Sequence, residues 1–246
     1  AQQVIRAMQA GKHVFCEKPL AITQDELDEI CKALENNPQA LLTVGFNRRF
    51  SPFGQRLKSF IQDRSEPLIA HYRVNAGYLP DSHWLHDPAQ GGGRIIGEGC
   101  HFVDFLAFLV GEPPVSVECR GLPDGGRYHE DNVLMTFTFA DGSLGSVGYL
   151  ANGDKSLPKE RVEVFCAGRA AVLDDFRRLE LLREGKREVM HSRLRQDKGH
   201  RSGWEAFLQA VRSGGSAPIP YEHLLGVTQA TFAALRSLRN GRVEEV

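Results

Sequence analysis

Two short stretches carry residue types that could move protons and orient a small polar ligand. The first is Glu17-Lys18-Pro19, a carboxylate, an amine and a ring-locked proline directly after the apolar run Val14-Phe15-Cys16. The second is Gly97-Glu98-Gly99-Cys100-His101, with Asp104 three residues further on. A lysine at the carboxyl end of a buried strand stands where open α/β sheets bind ligands. Pro19 fixes its own φ and restricts Lys18, so the amine projects from a held backbone. His101 opens a helix, whose dipole disfavours imidazolium and keeps the ring neutral, as a general base must be. Glu98 is the acidic neighbour that could tune it.

These groups are positioned by two kinds of secondary structure. Val4, Ile5 and Met8 form a helical stripe closed by Gly11. After the first strand, Thr23 and Glu26 have capping-box spacing and start a helix through Leu27, Ile30 and Leu34. Leu41 to Phe46 is a continuous apolar strand of the parallel-sheet kind, leading into Asn47-Arg48-Arg49, and a helix follows from Phe53 to Gln62. The rhythm then changes. Alternating segments at 68–75, 115–120, 131–139 and 143–150 predict half-buried strands, with Asp141-Gly142 turning one hairpin. Segments 161–167, 170–174 and 178–183 extend them into a mostly antiparallel sheet. Trp84 to Pro88 reads as a loop feeding Gly91-Gly92-Gly93, and a helix spans Phe102 to Val110. Two helices close the chain, the first opened by a capping box at Ser202 and Glu205, the second running from Pro220 to Leu238. The fold class is therefore α/β plus α+β. Residues 1–50 read as the tail of an α/β unit whose earlier strands are absent. Residues 51–246 read as an open-sheet domain covered by helices.

Composition removes several function classes. With 246 residues and a formal net charge of −1, no overall basic field points to nucleic acid or an anionic membrane. The longest apolar run, Phe102 to Val110, is too short to span a bilayer, and no segment resembles a signal peptide. Five dispersed cysteines predict reduced, buried thiols and a cytoplasmic location. His83-x-x-His86 lies in loop sequence and lacks further ligands, so no metal site is expected. The basic stretch 187–201 lacks interleaved aromatics and is expected to be a solvated loop.

The phrase Ala10-Gly11-Lys12-His13-Val14 … Glu17-Lys18-Pro19-Leu20-Ala21 resembles the signature of the Gfo/Idh/MocA family of NAD(P)-dependent oxidoreductases. Gly45-Phe46-Asn47-Arg48-Arg49-Phe50 resembles the family's exit from the dinucleotide domain. Gly92-Gly93 through Gly99, His101 and Asp104 resemble its Gly-Gly-x-x-x-Asp-x-Gly-x-His-x-x-Asp pattern, with one departure. Gly97 occupies the place of the first Asp, so either Glu98 substitutes from one position along or the proton relay differs. The resemblance implies NAD or NADP as cofactor and a sugar, cyclitol or sugar derivative as substrate. It makes Lys18 and His101 catalytic, with Glu98 assisting. Glu17, Lys18, Pro19 and Arg48 would bind the cofactor, and Lys18, Asn47, Trp84, His101 and Asp104 the substrate. It also implies a cis Lys18-Pro19 bond and a homo-dimer or homo-tetramer formed through the open sheet face. By the resemblance, residues 1–50 would be the C-terminal remnant of a Rossmann NAD(P)-binding domain whose nucleotide-binding half is missing, since no G-x-G-x-x-G follows a strand. The rival reading is a catalytically silent module that only oligomerises or binds carbohydrate.

Overall fold

The computed structural model describes residues 1–192 and 195–246. Helix α1 (Gln2–Gln9) precedes strand β1 (Val14–Cys16), and helix α2 (Gln24–Asn36) leads to β2 (Leu42–Val44). β1 and β2 pair in parallel, Phe15 opposite Thr43, so their carboxyl ends lie side by side. The capping box at α2 forms: Thr23 Oγ1 accepts from Glu26 N, and Glu26 Oε2 accepts from Ile22 N. Ser51 caps α3 (Pro52–Ile61), with Pro52 at the first helical position where its missing N–H costs nothing.

The remaining strands form one nine-stranded sheet. They are β3 (Ile69–Asn75), β4 (Pro114–Gly121), β5 (Asn132–Phe139), β6 (Leu144–Leu150), β7 (Glu160–Cys166), β8 (Arg169–Asp174), β9 (Arg178–Arg183), β10 (Lys186–His191) and β11 (Glu244–Glu245). Their order is β10-β9-β8-β7-β3-β6-β5-β4-β11, and every pairing is antiparallel except β3 with β6. Strand β10 corrects the expected loop at 187–201: Lys186 to His191 pairs back on β9 across a turn at Glu184 and Gly185. Its charged side chains gave no alternation because this edge strand is exposed almost throughout. Residues 193 and 194 of that stretch lie outside the described residues.

Helix α4 (Cys100–Val110) is buried on nearly all sides, with Phe102, Val103, Phe105, Leu106 and Leu109 in the core, as a helix apolar all round must be. Burial of each such side chain contributes about 1.5–3 kcal/mol. Helices α5 (His200–Ser213) and α6 (Tyr221–Asn240) follow. The expected capping box at Ser202 is not a cap; α5 begins two residues earlier, after Gly199 at φ 84°. A Cβ there would lie 2.3 Å from the Asn47 carbonyl oxygen, so the close approach of the two backbones requires glycine. Tyr221 reaches back to donate to the Ala40 carbonyl and accept from Leu42 N. On the opposite face of the sheet Ile69, Leu134, Leu144 and Phe165 stay exposed; the register places Ile69 opposite both Leu144 and Phe165.

Candidate active site

The helix that carries His101 begins earlier than its apolar periodicity indicates, and it is not a regular α-helix. Ile95 to Gly99 forms a π-helical turn continuous with α4. Such single wide turns occur often at functional sites. Here glycine at position 97 lets the turn press against Leu85 and the Gly91 carbonyl, 2.4 and 2.6 Å from where a Cβ would stand. The freed Gly97 carbonyl accepts a hydrogen bond from Lys18 Nζ at 2.7 Å. Lys18 is thereby tied to the turn that precedes His101, and its bond to Pro19 is cis.

The His101 ring lies edge-on to Phe46, and its Nδ1 is buried without a hydrogen-bond partner. Burial pushes the imidazole well below its ordinary value, and Arg48, Lys18, Lys159 and His200 push it the same way. The ring is neutral over the whole range near pH 7. Glu98 points to a different set of partners. Tyr149 donates a short hydrogen bond to Glu98 Oε2, Arg94 Nε donates to the Tyr149 hydroxyl at 2.6 Å, and Lys159 Nζ stands 3.7 Å from Glu98 Oε1. Burial alone would raise the Glu98 carboxyl, but Lys159, the Tyr149 hydroxyl, Arg94 and Lys18 hold it below its ordinary value. Glu98 is therefore an ionised group on the cleft wall whose described hydrogen-bond and ion-pair partners do not include His101.

Three residues placed in the site from sequence have other occupations. Arg48 is buried and donates from Nε and Nη2 to Glu160 at 2.7 and 2.8 Å, beneath the Phe102 ring. Lys198 closes the same cluster at 2.6 Å, so Nε and Nη2 of Arg48 are engaged inside the protein. Asp104 is fully buried and takes both donors of Arg49, at 2.5 and 3.0 Å, so no substrate hydroxyl can reach its carboxylate. Trp84 is 56 % exposed on a 3₁₀ turn whose His83 Nδ1 accepts from Leu85 N. That turn holds His83 as a local cap rather than as a metal ligand. Asn47 is buried and donates to the Lys198 carbonyl, yet it still borders the pocket at the strand ends.

That pocket, of about 220 Å³, opens at the carboxyl ends of β1 and β2 and decides whether a nicotinamide dinucleotide suits these residues. Glu17 presents a carboxylate that accepts no hydrogen bond among the described residues, on the side facing Gly45. Phe15 and Trp204, edge to face at 5.0 Å, supply an apolar wall from β1 and α5. An acceptor for ribose hydroxyls beside a flat apolar wall fits the nicotinamide-ribose end of such a cofactor. Sequence reasoning missed Tyr149, Lys159, Arg94 and Trp204 as members of the site. Tyr149 is foreshadowed only by its inward position in the alternation of β6; Lys159 lies in a polar loop with no periodic signal.

Comparison with known proteins agrees with this fold. Residues 1–46 match the oxidoreductase family with NAD-binding Rossmann fold, and residues 62–170 match the GFO/IDH/MocA C-terminal domain, together more than half of the chain. The chain belongs to the Gfo/Idh/MocA family. An uncharacterized oxidoreductase of Bacillus subtilis, YrbE, is 27 % identical over 72 % of this chain and 52 % of its own length. An inositol 2-dehydrogenase of Rhizobium meliloti is 25 % identical over 98 % of this chain and 76 % of its own. The chain thus spans about half of the first relative and three quarters of the second. An NAD-binding oxidoreductase structure from Klebsiella pneumoniae superposes with a TM-score of 0.86 at 20 % identity, covering 100 % of this chain and 76 % of that one, which shows the shared fold. The expected family and fold class, with a Rossmann NAD-binding part followed by a mostly antiparallel open sheet, are borne out. Among the described residues no helix is long and apolar enough to cross a membrane.

Proposed function

We propose that the intact protein is an NAD(P)-dependent dehydrogenase acting on a carbinol of a sugar, cyclitol or sugar derivative. The observation that carries this reading is the Lys18–Gly97 hydrogen bond, which ties the amine to the turn just before a neutral, desolvated His101. The nicotinamide, when bound, supplies the hydride acceptor. Lys18 donates to the substrate hydroxyl and fixes its orientation. His101 takes the hydroxyl proton as the carbinol C–H electron pair departs and the C=O bond forms; in the reverse direction it returns the proton. Ionised Glu98, held by Tyr149 and Arg94, sets the field around both groups. Positioned acid–base assistance of this kind is worth about 10²–10⁴-fold. The resemblance of the flanking residues to inositol dehydrogenases supports a polyol over a simple alcohol. The exposed apolar row of Phe165, Ile69 and Leu144 supports pairing of the sheet face with a second copy of the chain.

The test is direct. The intact protein is mixed with NAD⁺ or NADP⁺ and a panel of sugars and cyclitols, and reduced nicotinamide is followed by absorbance. Turnover that vanishes in both Lys18→Met and His101→Ala supports the assignment; saturable sugar binding with no turnover under any cofactor returns the protein to a silent binding role.

A further inference from the structure

The cleft wall that carries Glu98 is unbalanced in charge. Lys18, Arg94 and Lys159 all act on the Glu98 carboxylate, and the one further carboxylate that Arg94 acts on is the buried Asp131. Two of the three cations are spoken for. Lys18 Nζ donates to the Gly97 carbonyl, while Arg94 is buried and donates to Tyr149 and the Gly77 carbonyl. Lys159 differs. Its side chain is 39 % exposed and its Nζ makes no hydrogen bond among the described residues, Glu98 Oε1 standing off at 3.7 Å. A pair at that distance, open to water, is weak.

The backbone beneath Lys159 is nonetheless fixed. Its carbonyl accepts from Asn75 N at 2.7 Å, at the end of β3. The Asn75 side chain donates to the Asp154 and Leu157 carbonyls and so holds the loop leading to Lys159 against the sheet. The next residue, Glu160, is locked by Arg48 and Lys198. An amine on so rigid a base, partly exposed beside Glu98 and without a hydrogen-bond acceptor among the described residues, is arranged to receive one.

We infer that Lys159 is the specificity residue of this cleft and that the substrate is a polyhydroxy acid, its carboxylate paired with Lys159. The inference rests on the dehydrogenase reading of the site and narrows its substrate class. A carboxylate matches the one positive charge by which Lys18, Arg94 and Lys159 exceed Glu98 and Asp131. A phosphate dianion would bring a second negative charge beside Glu98 with no cation to meet it. A neutral sugar would leave that excess charge unanswered.

The experiment compares D-gluconate, D-glucuronate and D-galacturonate, each against its own primary amide, as substrates of the intact protein with NAD⁺ or NADP⁺. Acid and amide have the same shape and differ in charge. A charge-assisted hydrogen bond predicts that at least one acid exceeds its amide by about 10–100-fold in kcat/KM, chiefly through KM. Lys159→Gln should reduce that ratio toward one, by a loss falling on the acid far more than on the amide, and Lys159→Arg should restore most of it. Amides or neutral sugars used as well as the acids overturn this inference and leave the dehydrogenase reading intact. Turnover of no compound, charged or neutral, removes the dehydrogenase reading and this one with it. If Lys159→Gln does not fold, the acid-to-amide ratio of the unaltered protein still decides the matter.

Discussion

Lys18 Nζ donates to the Gly97 carbonyl at 2.7 Å, so the glycine that stands where the family resemblance expects an aspartate meets the proposed catalytic lysine through its backbone. The substitution is more than a lost side chain. Position 97 is walled by Leu85 and the Gly91 carbonyl, and any Cβ must displace one of them. Gly97→Asp, which would recreate the family pattern, should therefore lower stability by about 1–3 kcal/mol through overpacking. That corresponds to a fall in Tm of roughly 2–12 °C for a chain of this size. Thermal denaturation beside activity checks it. A Gly97→Asp variant as stable as the parent and more active would show that the glycine is a mere gap in the pattern.

His101 gives a prediction in pH. Its folded-state value lies well below the ordinary histidine value, chiefly because the ring is buried, with Arg48, Lys18 and Lys159 adding to the effect. Above about pH 6.5 the imidazole is neutral in both folded and unfolded chains and contributes no slope. As pH falls below that, the unfolded chain takes a proton that the folded one refuses, and stability is lost. Urea midpoints at about pH 7.5 and 5.5 should differ less in His101→Phe than in the parent. Turnover, meanwhile, should fall about 10²–10⁴-fold in His101→Ala with cofactor affinity nearly unchanged. Equal pH slopes in the two proteins would mean that the ring takes up its proton in the folded state after all.

The strands and helices around this site were legible because each has a period and an end signal. Val14 to Cys16 stops at a proline turn, Thr23 and Glu26 cap one another, and β5 alternates buried with open residues. Three features were hidden. The π turn at Ile95–Gly99 depends on the way Leu85 packs against Gly97, a contact made across sequence that reads as loop. Strand β10 is an edge strand without an apolar face. The occupations of Arg48 and Asp104 were out of reach because their partners, Glu160 and Arg49, are chosen by tertiary structure; Glu160 is 112 residues from Arg48. A basic residue at a strand end looks the same in sequence whether it meets a phosphate or a buried glutamate.

Glu160 joins Arg48, Lys198 and the Tyr72 hydroxyl in one buried cluster. Burial opposes its charge, but Arg48 and Lys198 overcome this and bring its carboxyl down to about 2. Relative to an ordinary glutamate this amounts to about 3 kcal/mol of stability. It is fully present above about pH 4.5 and is lost as pH falls toward 2. Glu160→Gln strands two cations in the interior and should cost about 3–5 kcal/mol at neutral pH. Urea unfolding of parent and variant at neutral and acid pH measures both effects. A loss under about 1 kcal/mol would mean that water reaches the cluster and screens it.

The pocket at the ends of β1 and β2 offers an optical test of cofactor placement. The chain has two tryptophans, Trp84 and Trp204, and only Trp204 borders that pocket, edge to face with Phe15 and near Glu17. Trp84 stands exposed on its own turn and is removed by Trp84→Phe without disturbing buried contacts. In that background Trp204 is the sole indole reporter of residues 1–246. If the nicotinamide-ribose end of the cofactor enters this pocket, titration with NADH should quench Trp204 saturably and transfer excitation to the dihydronicotinamide. Glu17→Gln should weaken the titration by about tenfold, the worth of one charge-assisted hydrogen bond to a ribose hydroxyl. Unchanged Trp204 emission at cofactor concentrations that support turnover would place the nicotinamide elsewhere, and Glu17 would revert to a solvated strand-end carboxylate.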